Sequence, residues 1–343
     1  MSDPGGTAAA ATKDRSTGLV LFGLLQLAIG LFALAMAGLS LVASALAPAG
    51  VPAQSGRQIA FGIAFYLVVA ALFVTLGIGS LLARRWARAL MLVVSWFWLV
   101  FGVLSLVAIV FLFPMMQETT GKALDQAAAQ RPSAGPGPDP ALVGAFALGC
   151  AVASIVLFGI ALPALFVLFY RSPHVRSTCA ARDPRPRWTD RLPLPVLSLV
   201  LLHGFGVLTI LGSVLGYGAF AIFGRVVSGA GAWLLAAVLT AALALAVAWS
   251  WRLDVRGWWL AVALWAFGLA SAVGTVLHPL DWNELYRAMG MDPSVYAQLD
   301  LGAWSRQFSW LSLAALVPWL AYLLWVRRFF ARPAPAAPLA PGL

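Results

Sequence analysis

Between Arg191 and Arg225 the chain runs for 33 residues without a charged side chain, and seven other long stretches are equally free of charge. A helix that crosses about 30 Å of hydrocarbon needs about 20 predominantly apolar residues, each rising about 1.5 Å. Eight runs meet or approach this length: Gly18–Ala47, Ile59–Ala83, Ala89–Phe113, Ala141–Tyr170, Leu192–Gly224, Ala230–Trp251, Gly257–Leu277 and Gln307–Val326. None of the 22 Lys and Arg or 12 Asp and Glu residues lies inside them. The runs lack the alternation of a membrane β-barrel, and open strands would leave backbone groups unpaired in lipid. The expected fold is all-α, a polytopic transmembrane helical bundle of eight spans.

Composition narrows the function. Charged residues make up 10% of the chain and apolar ones 62%, against about 25% and 45–50% in soluble domains. That leaves too little polar surface to cover a soluble globule. It excludes a soluble enzyme, a disordered chain and a nucleic-acid-binding domain, although the net charge is +10. The cations sit in the short segments between runs. Counting alternate segments from the N-terminus, one side holds 16 Lys and Arg and the other 6. The positive-inside bias then places both termini in the cytoplasm. Cys150 and Cys179 fall in a span and in a basic loop, so no disulfide between them is expected.

The chain divides into a disordered cytoplasmic tail (1–17), a first four-span half (18–170), a basic cytoplasmic loop (171–191), a second four-span half (192–326) and a Pro/Ala-rich cytoplasmic tail (327–343). Four spans return the chain to its starting side, so a duplicated unit would be parallel. Phe101-Gly102-Val103-Leu104-Ser105 before Pro114 matches Phe267-Gly268-Leu269-Ala270-Ser271 before Pro279, and Pro163 matches Pro318. Their shared order points to a 4+4 repeat. The turn Leu82-Ala83-Arg84-Arg85-Trp86-Ala87-Arg88 followed by an apolar span resembles small four-span bacterial membrane proteins that are poorly characterised. The resemblance covers residues 59–115. It implies a bacterial inner-membrane protein and carries no activity.

No HExxH pair, CxxC motif or P-loop occurs, so no catalytic, cofactor-binding or metal residue is assigned and the chain is read as a non-enzyme without cofactors. Ion-coupled transport usually needs an ionisable group within the membrane. His203 alone qualifies, about 10 Å deep at about 1.5 Å per residue. Gln26 lies at a similar depth in the first span, which makes the two a candidate intramembrane polar pair.

Two loops are candidate contact surfaces. Arg171, Arg176, Arg182, Arg185, Arg187 and Arg191 are candidates for lipid headgroup contact or for docking a membrane or cytoplasmic protein. In the outer loop, Trp282, Leu285, Tyr286 and Met289 follow helical spacing, with Asp281 and Glu284 at the start. This is a candidate interfacial helix or lid, its apolar face toward the membrane. A second short helix is expected from Asp292-Pro293 through Leu299. Most of the fifteen Trp fall near run ends, as an aromatic belt requires. The function expected is a scaffold or accessory subunit. The alternative is an uncoupled carrier or pore for an apolar or neutral solute, with Gln26 and His203 bordering its route.

Overall fold

The computed structural model describes residues 14–46, 56–130, 139–291 and 301–330. Eight helical spans carry the chain: α1 (Ser16–Ala45), α2 (Gly56–Leu81), the first part of α3 (Arg85–Gln130), a fourth span in three pieces, α7 (Leu194–Tyr217), α8 (Gly229–Trp251), α9 (Val255–Leu277) and most of α11 (Leu301–Val326). The fourth span is α4 (Pro140–Ser154), a π-helical segment Ile155–Ala161 and α5 (Leu162–Arg171). A short helix, α6 (Pro173–Arg182), and a 3₁₀ turn, Trp188–Arg191, link the halves, and α10 (Trp282–Ala288) lies between α9 and α11. All eight spans are long and apolar enough to cross a bilayer, so the chain is a multi-pass helical membrane protein.

Two spans differ from the expected runs. The fifth stops at Tyr217, where Gly218 takes the left-handed conformation (φ 69°) and its N–H donates to the Val214 carbonyl, a glycine stop. The remaining residues of the run form the first strand and the turn of an antiparallel hairpin, β1 (Ala219–Ile222) with β2 (Arg225–Ser228). Its two-residue loop, Phe223-Gly224, has φ of 52° and 73°, the sign a tight hairpin turn demands. A left-handed phenylalanine costs roughly 1–2 kcal/mol. Two bonds offset it: Phe223 N–H donates to Ser271 Oγ (3.2 Å) and Gly224 N–H to Thr275 Oγ1 (3.1 Å). The third span, by contrast, continues past Pro114 as one 46-residue helix to Gln130. What reads as a loop continues the helix beyond the apolar span.

Lipid removes the hydrophobic drive between spans, so close approach and hydrogen bonds hold them together. On α1 the buried residues Leu19, Gly23, Gln26, Gly30, Ala33 and Ala37 repeat at spacings of four and three. A Cβ on Gly23 would lie 3.1 Å from the Gly77 carbonyl oxygen of α2, and one on Gly77 would lie 2.9 Å from that of Gly23. The two backbones therefore touch. Between α9 and α11 the devices are indoles. Trp258 Nε1 donates to the Leu323 carbonyl (2.7 Å) and Trp265 Nε1 to that of Leu316 (3.0 Å). Donors and acceptors are each two turns apart on antiparallel helices. The halves meet where Phe61 of α2 packs on Gly212 and Gly216 of α7.

The turn between α2 and α3 has the same form as the turn between α8 and α9. Ala83 (φ 51°) and Leu253 (φ 57°) are left-handed. Their N–H groups donate to the carbonyls of Ser80 and Ser250, and the next residues, Arg84 and Asp254, donate to those of Gly79 and Trp249.

Candidate functional site

Three polar constructions stand out: a clamp on the arginine-rich face, a triad inside the first half, and a cap on the opposite face.

The clamp centres on Asp183, 2% exposed. Arg187 reaches both carboxylate oxygens, with Nε at 2.9 and 3.1 Å and Nη2 at 2.6 Å from Oδ1. The Arg85 N–H at the start of α3 donates to Asp183 Oδ2 (3.3 Å), and Arg84 Nη1 lies 3.8 Å from Oδ1. The Arg187 hydrogen bonds, then the Arg85 N–H and the nearby positive charges, hold this carboxyl below the usual aspartate range. Asp190 pairs with Arg85 (3.3 Å) and accepts from the Arg187 N–H (2.9 Å). Arg182 reaches Asp14 at 3.9 Å, and Arg15 N–H donates to Thr178 Oγ1 (3.1 Å). The basic segment thus ties the start of α1, the α2–α3 turn and the entry to α7 together. Of the six candidate arginines, Arg182 and Arg187 are engaged in it. Arg171, Arg176, Arg185 and Arg191 are exposed and form no ion pair among the described residues.

Gln26 is 0% exposed, so no water-sized space touches it. Its Nε2 donates to Tyr170 Oη (2.6 Å), Tyr170 donates to Ser80 Oγ (2.8 Å), and Ser80 donates to Gln26 Oε1 (3.2 Å). The ring closes: each member donates once and accepts once, which polarises every bond in the same sense. It joins the first, second and fourth spans. No hydrogen bond joins Gln26 to His203. His203 is 6% exposed on α7, and its Nδ1 has no partner among the described residues. The two residues expected to pair are held within different halves, because Gln26 finds its partners inside its own four spans. Gln26 was visible in the sequence as a polar residue inside an apolar run. Ser80 and Tyr170 were not, since pairing them requires the register of three helices.

Replacing Gln26 by leucine keeps the volume and opens the ring. Intramembrane hydrogen bonds contribute about 0.6–2 kcal/mol, so Gln26→Leu should lower stability by about 1–2 kcal/mol in denaturant titrations of micelle-embedded protein. Tyr170→Phe should cost a similar amount. The double variant should cost less than the sum, because either change alone breaks the ring. Strict additivity would show three independent contacts.

On the opposite face Asp281 caps α10, its Oδ1 accepting from the N–H groups of Asn283 (2.9 Å) and Glu284 (3.2 Å). Leu285 is buried with Ala219 and Leu280, and Trp282 and Met289 pack on the same cluster together with Val226. The apolar face of α10 therefore rests on the hairpin. Tyr286 stands against Trp282 (5.9 Å between ring centroids), while Glu284 is exposed. Gln58 Nε2 donates to the Met289 carbonyl (3.3 Å), tying the cap to the second span. The second helix expected from Asp292 to Leu299 lies outside the described residues.

A lateral groove of about 250 Å³ runs between α3 and α11, lined by Phe101, Leu104, Ser105, Ala108, Leu311, Ser312 and Ala315. Among the described residues no three His, Cys, Asp or Glu side chains converge on a point that could hold a metal ion. No family model matches the chain, and no curated protein or solved structure is significantly similar to it.

Proposed function

We propose that this is a bacterial cytoplasmic-membrane protein with both termini in the cytoplasm, acting as a non-enzymatic scaffold or accessory subunit whose basic face contacts anionic headgroups and a protein partner. The observation that carries the reading is how its polar groups are used. Gln26, Ser80 and Tyr170 are consumed in holding spans together, while four arginines, Arg171, Arg176, Arg185 and Arg191, are exposed without carboxylate partners among the described residues. Lys and Arg bias supports the orientation. The scaffold is preferred over an uncoupled carrier because Gln26, which was to border a solute route, is fully enclosed.

The 4+4 repeat belongs to the same proposal. Its support is the matched pair of turns, in which Ser80 and Ala83 take the places of Ser250 and Leu253. The Phe-Gly landmarks support it less. They run four residues out of register with the turns, and Gly102 packs tightly while Gly268 has nothing within 4 Å.

Photo-crosslinking side chains at positions 185 and 191, in membranes of a bacterial host, test the reading. Specific bands should appear at these positions and not at lipid-facing Leu31 or Phe146, and a C-terminal reporter should be active only as a cytoplasmic fusion. Uncrosslinked monomer at all four positions, or a tail reporting the other face, would refute it.

A further inference from the structure

The pairing of charges on the basic face is uneven. Arg84, Arg85, Arg182 and Arg187 each reach a carboxylate at 3.9 Å or less. Arg88, one turn into α3, and Arg176, on α6, form no ion pair among the described residues. Arg88 is half-buried, and its Nε is enclosed without a hydrogen-bond partner. Arg176, Arg85, Cys179 and Asp190 all lie within its electrostatic range. Asp190 is already engaged by the Arg85 side chain and the Arg187 N–H. Cys179 supplies no negative charge: burial pushes its thiol up to about 11, so it is neutral at physiological pH. Around Arg88, two further guanidinium groups are thus balanced by a single carboxylate that is already committed, and the N-terminal end of α3 adds the positive end of its dipole.

Enclosing part of an unpaired cation is costly, and the cheapest remedy is an anion with several acceptor oxygens. The guanidinium fork matches phosphate. The position also selects the source, because Arg88 directly precedes the apolar run that begins at Ala89 and so stands at the level of the headgroups.

We propose that Arg88 and Arg176 together bind a phosphate oxyanion at the lip of the third span, presented by the headgroup of an anionic phospholipid. The inference rests on the membrane reading of the chain and on its basic face. It does not depend on orientation or on a protein partner.

Native mass spectrometry of the full chain in detergent tests this, with phosphatidylglycerol, phosphatidylcholine and inorganic phosphate as separate probes. The wild-type chain should retain one phosphatidylglycerol in preference to phosphatidylcholine. Arg88→Gln and Arg176→Gln should each weaken that binding at least about tenfold, the loss expected for one charge-assisted contact, while Arg225→Gln, an exposed arginine of the hairpin on the opposite face, should not. Arg176 is exposed, so its variant carries the test if Arg88→Gln fails to fold. Displacement of the lipid by millimolar inorganic phosphate would keep the oxyanion site and make a soluble phosphate its ligand. Equal retention in wild type and both variants, or an equal loss in Arg225→Gln, would overturn the proposal. This assay in detergent is blind to scaffold function, so its failure and a crosslinking failure are separate results.

Discussion

Gly102→Ala should destabilise the first half by about 3 kcal/mol, whereas Gly159→Ala should be close to neutral. Pro163 explains why these two glycines differ. Proline has no N–H to give to the carbonyl four residues earlier, which is that of Gly159. The fourth span responds with the π-helical segment Ile155–Ala161, in which Leu162 N–H donates five residues back to Leu157. The Gly159 carbonyl then turns to the backbone of α3, and a Cβ on Gly102 would overlap its oxygen and carbon. Neither helix can yield locally, since both contact atoms are main chain. Overpacking costs about 1–3 kcal/mol and occasionally more, and a backbone overlap belongs at the top of that range. A Cβ on Gly159 meets the Gly102 Cα at 3.2 Å and Ile155 Cγ2 at 3.5 Å. The neighbours need to give only slightly, and alanine regains up to about 1 kcal/mol of helix propensity. Denaturant unfolding of the two variants in micelles decides the matter. Equal effects would mean that Gly102 and Gly159 do not touch as described.

The spans were legible because lipid is a severe filter. A charge inside a run is so costly that its absence over 20 or more residues has few other causes, and all eight runs contain a spanning helix. What the runs do inside their own limits was less legible. Ala219–Ile222 are as apolar as the span before them, so hydropathy alone carried the fifth run to Gly224. The cues for the break were Gly218 and the Phe223-Gly224 pair, which act through backbone conformation and not polarity. Pro114 gives the opposite lesson: a proline that looked like a boundary sits within a continuous helix.

The candidate sites divide in the same way. The α10 cap was readable because Asp281 and the spacing from Trp282 to Met289 are local signals. That its apolar face would meet a hairpin was not, since the hairpin itself was hidden. Gln26 stood out as a polar residue within an apolar run, but identifying Ser80 and Tyr170 as its partners needed helix register. The arginines of the basic segment were countable from the sequence. Which of them Asp183 and Asp190 would consume was not, because a carboxylate's choice among six neighbouring cations depends on a turn, Trp188–Arg191, that has no periodic signature.

Asp183→Asn should lower stability by about 2 kcal/mol at neutral pH, and the gap should close in acid. The carboxylate is enclosed, but Arg84 and Arg187 are 39% and 34% exposed. Their freed guanidinium groups can rehydrate. The cost therefore falls between the ~0–1 kcal/mol of an exposed pair and the ~3–5 kcal/mol of breaking a fully buried one. Asparagine can still accept from Arg187 and the Arg85 N–H, so the loss is chiefly that of charge. The pH dependence follows from the sign of the shift. Hydrogen bonds from Arg187 depress the folded pKa below the ordinary aspartate value. The clamp's contribution is then complete above the unfolded pKa of about 3.9 and disappears as pH falls through the lower, folded value. Unfolding free energies of wild type and Asp183→Asn should run parallel from about pH 5 to 8 and converge only below about pH 4. Convergence on the alkaline side would assign the pH dependence to another group. A constant gap down to pH 2 would mean that the Asp183 side chain acts through its shape and not its charge.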